Sequence, residues 1–151
     1  VDVSPKKETK RIAQAEGFIS MKPETLALIE SGETKKGDVL ACARIAGIML
    51  PKKLALDSPV SSPYAHQGRS NLPTSSSTSP DDACGIRVEA TCALVGKTGV
   101  EMEALTAASV ACLTVYDMCK AVDRGMEIRE VHLLHKEGGK SGTWDRKSEN
   151  V

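Results

Sequence analysis

The sequence predicts an α+β domain in which helices cover one face of a mostly antiparallel sheet. Three observations lead there. Ile86, Val88, Ala90, Cys92 and Leu94 alternate with Arg87, Glu89, Thr91 and Ala93, the period-two pattern of a half-buried strand. Residues 96–125 form a long stretch rich in alanine, leucine and methionine, with the composition of a packed helix. Strand-like segments at 11–21 and 126–136 flank these two, giving the order strand, two helices, loop, strand, helix, strand.

Each element has its own local reason. The chain opens with a polar arm through Thr9, and residues 11–21 then alternate imperfectly as a strand. Residues 22–30 read as a short helix, with Pro23 suited to its first turn and Gly32 to its stop. A turn at Lys35-Lys36-Gly37 leads to Asp38, positioned to cap a helix over 39–50 that Pro51 ends. Residues 54–82 are heavy in serine and proline, lack periodicity and read as a polar coil. In the long helix, Thr98-Gly99-Val100-Glu101 fits a capping box, and Gly125 fits a left-handed stop. Met102, Leu105, Ser109, Cys112, Tyr116 and Cys119 recur at steps of three and four, predicting the stripe that faces the core. The tail from Glu137 onward is polar, with Trp144 its one large apolar group.

The bulk numbers narrow the function. A chain of 151 residues is read as one domain with a real core. Twenty basic and twenty acidic side chains cancel, so no overall field favours nucleic acid or an anionic membrane as a partner. Nothing approaches the length of a membrane span, and no signal-like segment follows Val1, whose position suggests a trimmed or partial chain. The five cysteines form no C-x-x-C pair and have no zinc-like histidine spacing, which predicts free thiols, a reducing compartment and hence the cytoplasm.

Few residues stand out chemically. Asp117 and Lys120 are neighbours on one helix face near its end, and the simplest reading is a surface ion pair. Glu101 and Glu103 suit the first turn of a helix as acids complementing its dipole. Lys36 and Lys136 are by default solvated charges. His132 and His135 have an odd separation, which puts them on opposite faces of a strand, and His66 stands alone in the serine-rich segment. No metal site follows. Gly96-Lys97-Thr98 and Gly139-Lys140-Ser141 look like phosphate loops, but Thr91 and Leu134 occupy the positions where a P-loop needs its first glycine. What survives is glycine backbone and lysine ammonium groups able to hold an anion.

The run KTGVEMEALTAASVACLTVYDMCKAV resembles the signature of the MoaC family, the cyclic pyranopterin monophosphate synthases of molybdenum cofactor biosynthesis. VDVSPKKETKR at the start, KKGDVLACARIAGI over 35–48 and KEGGKSG over 136–142 are similar to the family in the same order. The resemblance covers nearly everything outside 54–82. It implies a ferredoxin-like fold, assembly as a homohexamer (a trimer of dimers) with active sites between subunits, and no metal or organic cofactor. The activity implied is conversion of a cyclic dihydroguanosine triphosphate derivative into cyclic pyranopterin monophosphate with release of pyrophosphate. On this resemblance Asp117 and Lys120 are the general acid/base pair, and Glu101, Met102 and Glu103 are pterin-side contacts. Lys36 and Lys136 become cations for the triphosphate or participants in catalysis. A lysine crowded by other lysines is expected to have a lowered pKa.

One departure accompanies the match. The family carries a LIPLCHP-type segment with an active-site histidine where this chain has Leu56-Asp57-Ser58-Pro59-Val60-Ser61-Ser62-Pro63. Codons able to encode residues 57–70, read one nucleotide forward, can spell IPLCHPLMLTKVEV, which places the missing cysteine and histidine at Val60 and Ser61. The expectation is a pair of compensating frameshifts between about Lys53 and Pro80. If the printed segment is genuine, the alternative expectation is an impaired member that only binds pterin or nucleotide phosphate. The DNA sequence across that region decides between them.

Overall fold

The computed structural model describes residues 4–56, 67–71 and 84–148. The elements are β1 (Thr9–Ser20), α1 (Pro23–Ser31), α2 (Val39–Leu56), β2 (Gln67–Asn71), β3 (Gly85–Gly96), α3 (Glu101–Cys119), β4 (Glu127–Glu137) and β5 (Trp144–Asp145), followed by a 3-10 turn at Arg146–Ser148. The strands form one sheet in the order β2-β3-β1-β4-β5. Every neighbouring pair is antiparallel. With α3 packed on the central strands and α2 beside it, this is the expected ferredoxin-like α+β arrangement. No helix among the described residues is long and apolar enough to cross a membrane.

Strand alternation fixes the core. On β1 the residues Ala13, Ala15 and Ile19 are buried, and opposite them on β3 lie Cys92, Ala90 and Ile86, also buried. One end of the core joins these to Ala104, Ala107 and Ala108 of α3. The other end gathers Ile29 of α1, Val39 and Ala43 of α2, and Val115 and Cys119 of α3. Small side chains let the layers approach closely. A Cβ on Gly17 would sit 3.1 Å from the Cys112 sulfur, and one on Gly47 would sit 3.1 Å from the Ala107 carbonyl oxygen.

Several local expectations hold. Gly32 ends α1 in the left-handed conformation with its amide donating to the Ile29 carbonyl, and the Asp38 carboxylate caps α2 by accepting from the Ala41 amide at 2.9 Å. No disulfide joins the cysteines, and Cys92, Cys112 and Cys119 are buried. Burial raises the Cys92 thiol to about 12, helped by the charge of Glu103, and the Cys112 thiol to about 11.

Others are corrected. Pro51 does not end α2, which runs to Leu56: a proline forfeits one backbone donor, and the bonds on either side carry the helix past it. The segment 54–82 is not coil throughout, because Gln67–Asn71 pairs with β3 as an edge strand. The remainder of that segment, including Asp57, His66 and the departed motif, lies outside the described residues. The capping box does not form. Val100, not Thr98, is the N-cap, no side chain caps it, and Glu101 is the first helical residue with its carboxylate committed elsewhere.

The helix also stops early, at Cys119, and Gly125 is not left-handed. Asp123 turns the chain instead, its carboxylate accepting from the Lys22 and Gly125 amides and the Thr25 hydroxyl. The core stripe of α3 is Ala104, Ala107, Ala108, Ala111, Cys112, Val115 and Cys119, whereas Met102 is exposed. Of the expected stripe, Cys112 and Cys119 are buried as expected, and close packing fills the remainder of that face with alanines and Val115.

The two histidines share a face after all. Gln14 pairs with His135, Ala15 with Leu133 and Glu16 with His132, so Leu134 is an extra residue in β4. That bulge cancels the odd separation and sets both rings on the outer face of the sheet. His132 lies 2.7 Å from Glu16, while His135 lies between Asp145 and Glu137.

Candidate active site

The residues singled out from the sequence gather at the two ends of α3. At its C-terminal end, Asp117 sits in the last turn and Lys120 is the C-cap. Their side chains meet at 2.7 Å. Lys36, from the turn before α2, donates to the Asp117 carboxylate at 3.3 Å and to its backbone carbonyl at 3.0 Å. All three side chains are about half exposed. The hydrogen bond from Lys120, then that from Lys36, holds the Asp117 carboxyl below the usual carboxylate range. Lys120 is correspondingly raised by Asp117. The expected lowering of a lysine pKa does not occur at Lys120, because its nearest charge is a carboxylate and water screens the rest.

At the N-terminal end of α3 lies a cleft of about 410 Å³ lined by Lys6, Arg11, Lys97, Thr98, Gly99, Glu101, Lys136, Lys140 and Ser141. Five cationic side chains there face the single carboxylate of Glu101. The orphan amides and positive dipole of a 19-residue helix add to the same field. Lys136 lies 3.1 Å from Glu101 and donates to the Ser141 hydroxyl at 2.7 Å. Burial works against the Glu101 charge, but its own backbone amide, Lys136 and Arg11 outweigh it and keep the carboxyl below its ordinary value.

Topology explains the gathering. The pairing of Ala13 with Lys136 places this lysine on the helix-facing side of the sheet. Without the bulge at Leu134, Lys136 would share the outer face with His132, four residues earlier. Gly96-Lys97-Thr98 ends β3 just before α3, and Gly139-Lys140-Ser141 turns the chain beyond β4. Residues of both strings that fail as P-loops, Lys97 and Thr98 of one and Lys140 and Ser141 of the other, therefore line one cleft.

Arg11 is the residue the sequence reading missed. It is only 8% exposed, and its guanidinium donates to the carbonyls of Gly96 at 3.2 Å and Lys97 at 3.1 Å. Its place on the core-facing side of β1, where neighbours are Ala13 and Ala15, was the available signal. Lys6 of the arm joins the cleft as well. Of the remaining predicted contacts, Glu103 is half-buried near Cys92 and Met102 is 67% exposed; neither lines the cleft.

The glycine loop is sterically committed. Gly139 has φ +79°, and a Cβ there would collide with the Arg11 guanidinium. Gly139→Ala is expected to destabilise the chain by about 1–2 kcal/mol through the left-handed backbone alone, with Arg11 displaced in addition. Urea denaturation at fixed protein concentration measures it, and an unchanged midpoint contradicts it.

Such an arrangement can hold a polyanion at one end of α3 and move a proton at the other. Over all 151 residues, the chain is 50% identical to the cyclic pyranopterin monophosphate synthase of Thermomicrobium roseum, covering 89% of that protein. The sequence profile of the MoaC family matches residues 1–139, and the chain belongs to that family.

Proposed function

We propose that this chain is a cyclic pyranopterin monophosphate synthase, a lyase that converts (8S)-3',8-cyclo-7,8-dihydroguanosine 5'-triphosphate into cyclic pyranopterin monophosphate and pyrophosphate. The observation that carries the chemistry is the five-cation cleft at the start of α3. Pyrophosphate leaves as a polyanion, and fixed ammonium and guanidinium groups stabilise the charge as it develops. Lys136 and the two glycine-lysine loops bind the triphosphate. Glu101, Met102 and Glu103 are the contacts assigned to the pterin side.

Asp117 acts as the general base and Lys120 as the general acid, with Lys36 orienting the carboxylate. Sixteen residues separate Glu101 from Asp117 on α3, about 24 Å at 1.5 Å per residue, too far for one side-chain constellation. That separation favours a site completed by a second copy, the cleft of one protomer facing Asp117 of its partner within a homohexamer. Free thiols suit a reducing compartment, the cytoplasm.

A pyrophosphate-release assay on the purified chain tests the activity; absence of release with the intact substrate overturns it. Mixing tests the shared site. Lys136→Ala and Asp117→Asn are each expected to lose nearly all activity, and subunits reassorted at random are expected to regain about a quarter of wild-type activity if each two-fold dimer has two composite sites. No recovery after subunit exchange, verified by light scattering and tagged subunits, places both ends of the site within one chain.

A further inference from the structure

We propose that His135 is a positioning residue for the anion cleft: it ties β5 to the end of β4 and thereby holds the loop over 138–143 that carries Lys140 and Ser141. The inference rests on the reading of the cleft as the triphosphate site. β5 contains only two residues, paired His135 with Asp145 and Lys136 with Trp144, too short to persist on ladder hydrogen bonds alone. Side chains supply the rest. His135 Nδ1 lies 3.1 Å from the Asp145 carboxylate, and its Nε2 lies 3.0 Å from Glu137. The Arg146 guanidinium then donates to the Leu133 carbonyl at 2.7 Å, and the Lys147 amide donates to Asp145 at 3.0 Å.

Both ends of the glycine loop are thus anchored to His135, one by sequence and one by Asp145. Between them the Gly142 amide closes on the Gly139 carbonyl at 3.1 Å, and Ser141 accepts from Lys136. This loop is the chain connection from β4 to β5, so loosening β5 loosens the segment that carries Lys140 and Ser141 along the cleft.

The tie depends on charge. The groups facing the ring are Glu137 on its own strand and Asp145 on β5, with Lys147 beyond Asp145 and the uncharged Gln14 opposite on β1. The hydrogen bond to Glu137 raises the imidazole pKa most, burial opposes it, and Asp145 raises it further, leaving it above its ordinary value. A raised histidine contributes its full tie below the unfolded pKa, about 6.5, and loses it as pH rises through the folded value. The cleft wall is therefore firmest in mildly acidic solution.

The test uses full-length wild type, His135→Gln and, as a second variant that leaves β4 intact, Asp145→Asn. Tripolyphosphate binding is measured by calorimetry, and hydrogen exchange is followed over 138–143, each at pH 6 and pH 8.5. Variants are compared with wild type at the same pH, so ionisation of the probe cancels. At pH 6 both variants are expected to bind about fivefold more weakly and to exchange faster across the loop, the scale of an exposed charged pair. At pH 8.5 the difference between His135→Gln and wild type disappears. Equal loop exchange in His135→Gln and wild type at pH 6 overturns the tie and leaves the cleft reading intact. Faster exchange in the variants, with tripolyphosphate bound by none of the three proteins, upholds the tie and overturns that reading.

Discussion

Asp117→Asn is expected to lower kcat for pyrophosphate release by about 10²–10⁴-fold, the usual contribution of a positioned acid/base group, with little change in unfolding midpoint. The side chain is 59% exposed and its partners are half exposed, so the ion pairs it makes contribute little to stability. A large catalytic loss without a stability loss separates chemistry from structure. Lys120→Gln is expected to behave alike, because the proposed mechanism makes its ammonium the proton donor. The pH profile follows from the directions of the shifts. Asp117 is held ionised below the ordinary carboxylate range, so its basic form is present throughout neutral pH and is lost only in strong acid. Lys120 is raised, so its acidic form persists past neutrality and fails only in alkali. In the free chain the plateau between these limits is broad. Activity of Asp117→Asn within threefold of wild type removes Asp117 from the proton-transfer step.

The architecture was legible in the sequence wherever periodicity and turn chemistry agreed. Alternation from Ile86 to Leu94 gave β3, and Gly32 and Asp38 marked the end of α1 and the start of α2. Failures came where tertiary packing chose between local options. The expected core stripe of α3 kept Cys112 and Cys119, but a helix pressed against Gly17 and Gly47 fills the rest of that face with alanines and Val115 and turns Met102 outward. The capping box was lost because Lys136, thirty-five residues away, claims the Glu101 carboxylate. Nor does the spelling of β4 reveal the extra residue at Leu134, since only the pairing with β1 defines a bulge.

The β1–β4 pairing, irregular at Leu134 and again between Glu16 and Phe18, decided much of the site. It put Lys136 on the helix side and both histidines on the other, reversing what strand parity implied for the pair. Asp117 and Lys120 were visible because helical spacing is reliable over one turn. Arg11 was not, because its role depends on the long-range turn that brings Gly96 and Lys97 over it.

Asp123→Ala is expected to destabilise the fold by roughly 2–4 kcal/mol, the sum expected for losing hydrogen bonds to a buried carboxylate and stranding their donors. Only 2% of Asp123 is exposed, and Thr25, one of its donors, is 4% exposed. Its carboxylate accepts from the Lys22 amide at 3.0 Å, the Thr25 hydroxyl at 3.1 Å and the Gly125 amide at 3.2 Å. It thus caps the start of α1 from a distance while shaping the turn from α3 into β4. The Lys22 amide, opposed by desolvation and joined by Thr25 and Gly125, lowers its pKa in the folded chain. A depressed carboxyl contributes stability that is fully present above the unfolded pKa, about 3.9, and disappears as pH falls through the folded value. The gap in unfolding free energy between wild type and Asp123→Asn should therefore be widest near neutrality and close below pH 4. Urea titrations at pH 7 and pH 3, at one protomer concentration so that assembly contributes equally, measure that gap. A gap that stays constant across the two conditions shows that the charge of Asp123 does not stabilise the turn. Because this turn ends α3 just beyond Lys120, its loosening should also lower kcat/KM in Asp123→Ala, coupling a buried carboxylate of the fold to the exposed Asp117 of the site.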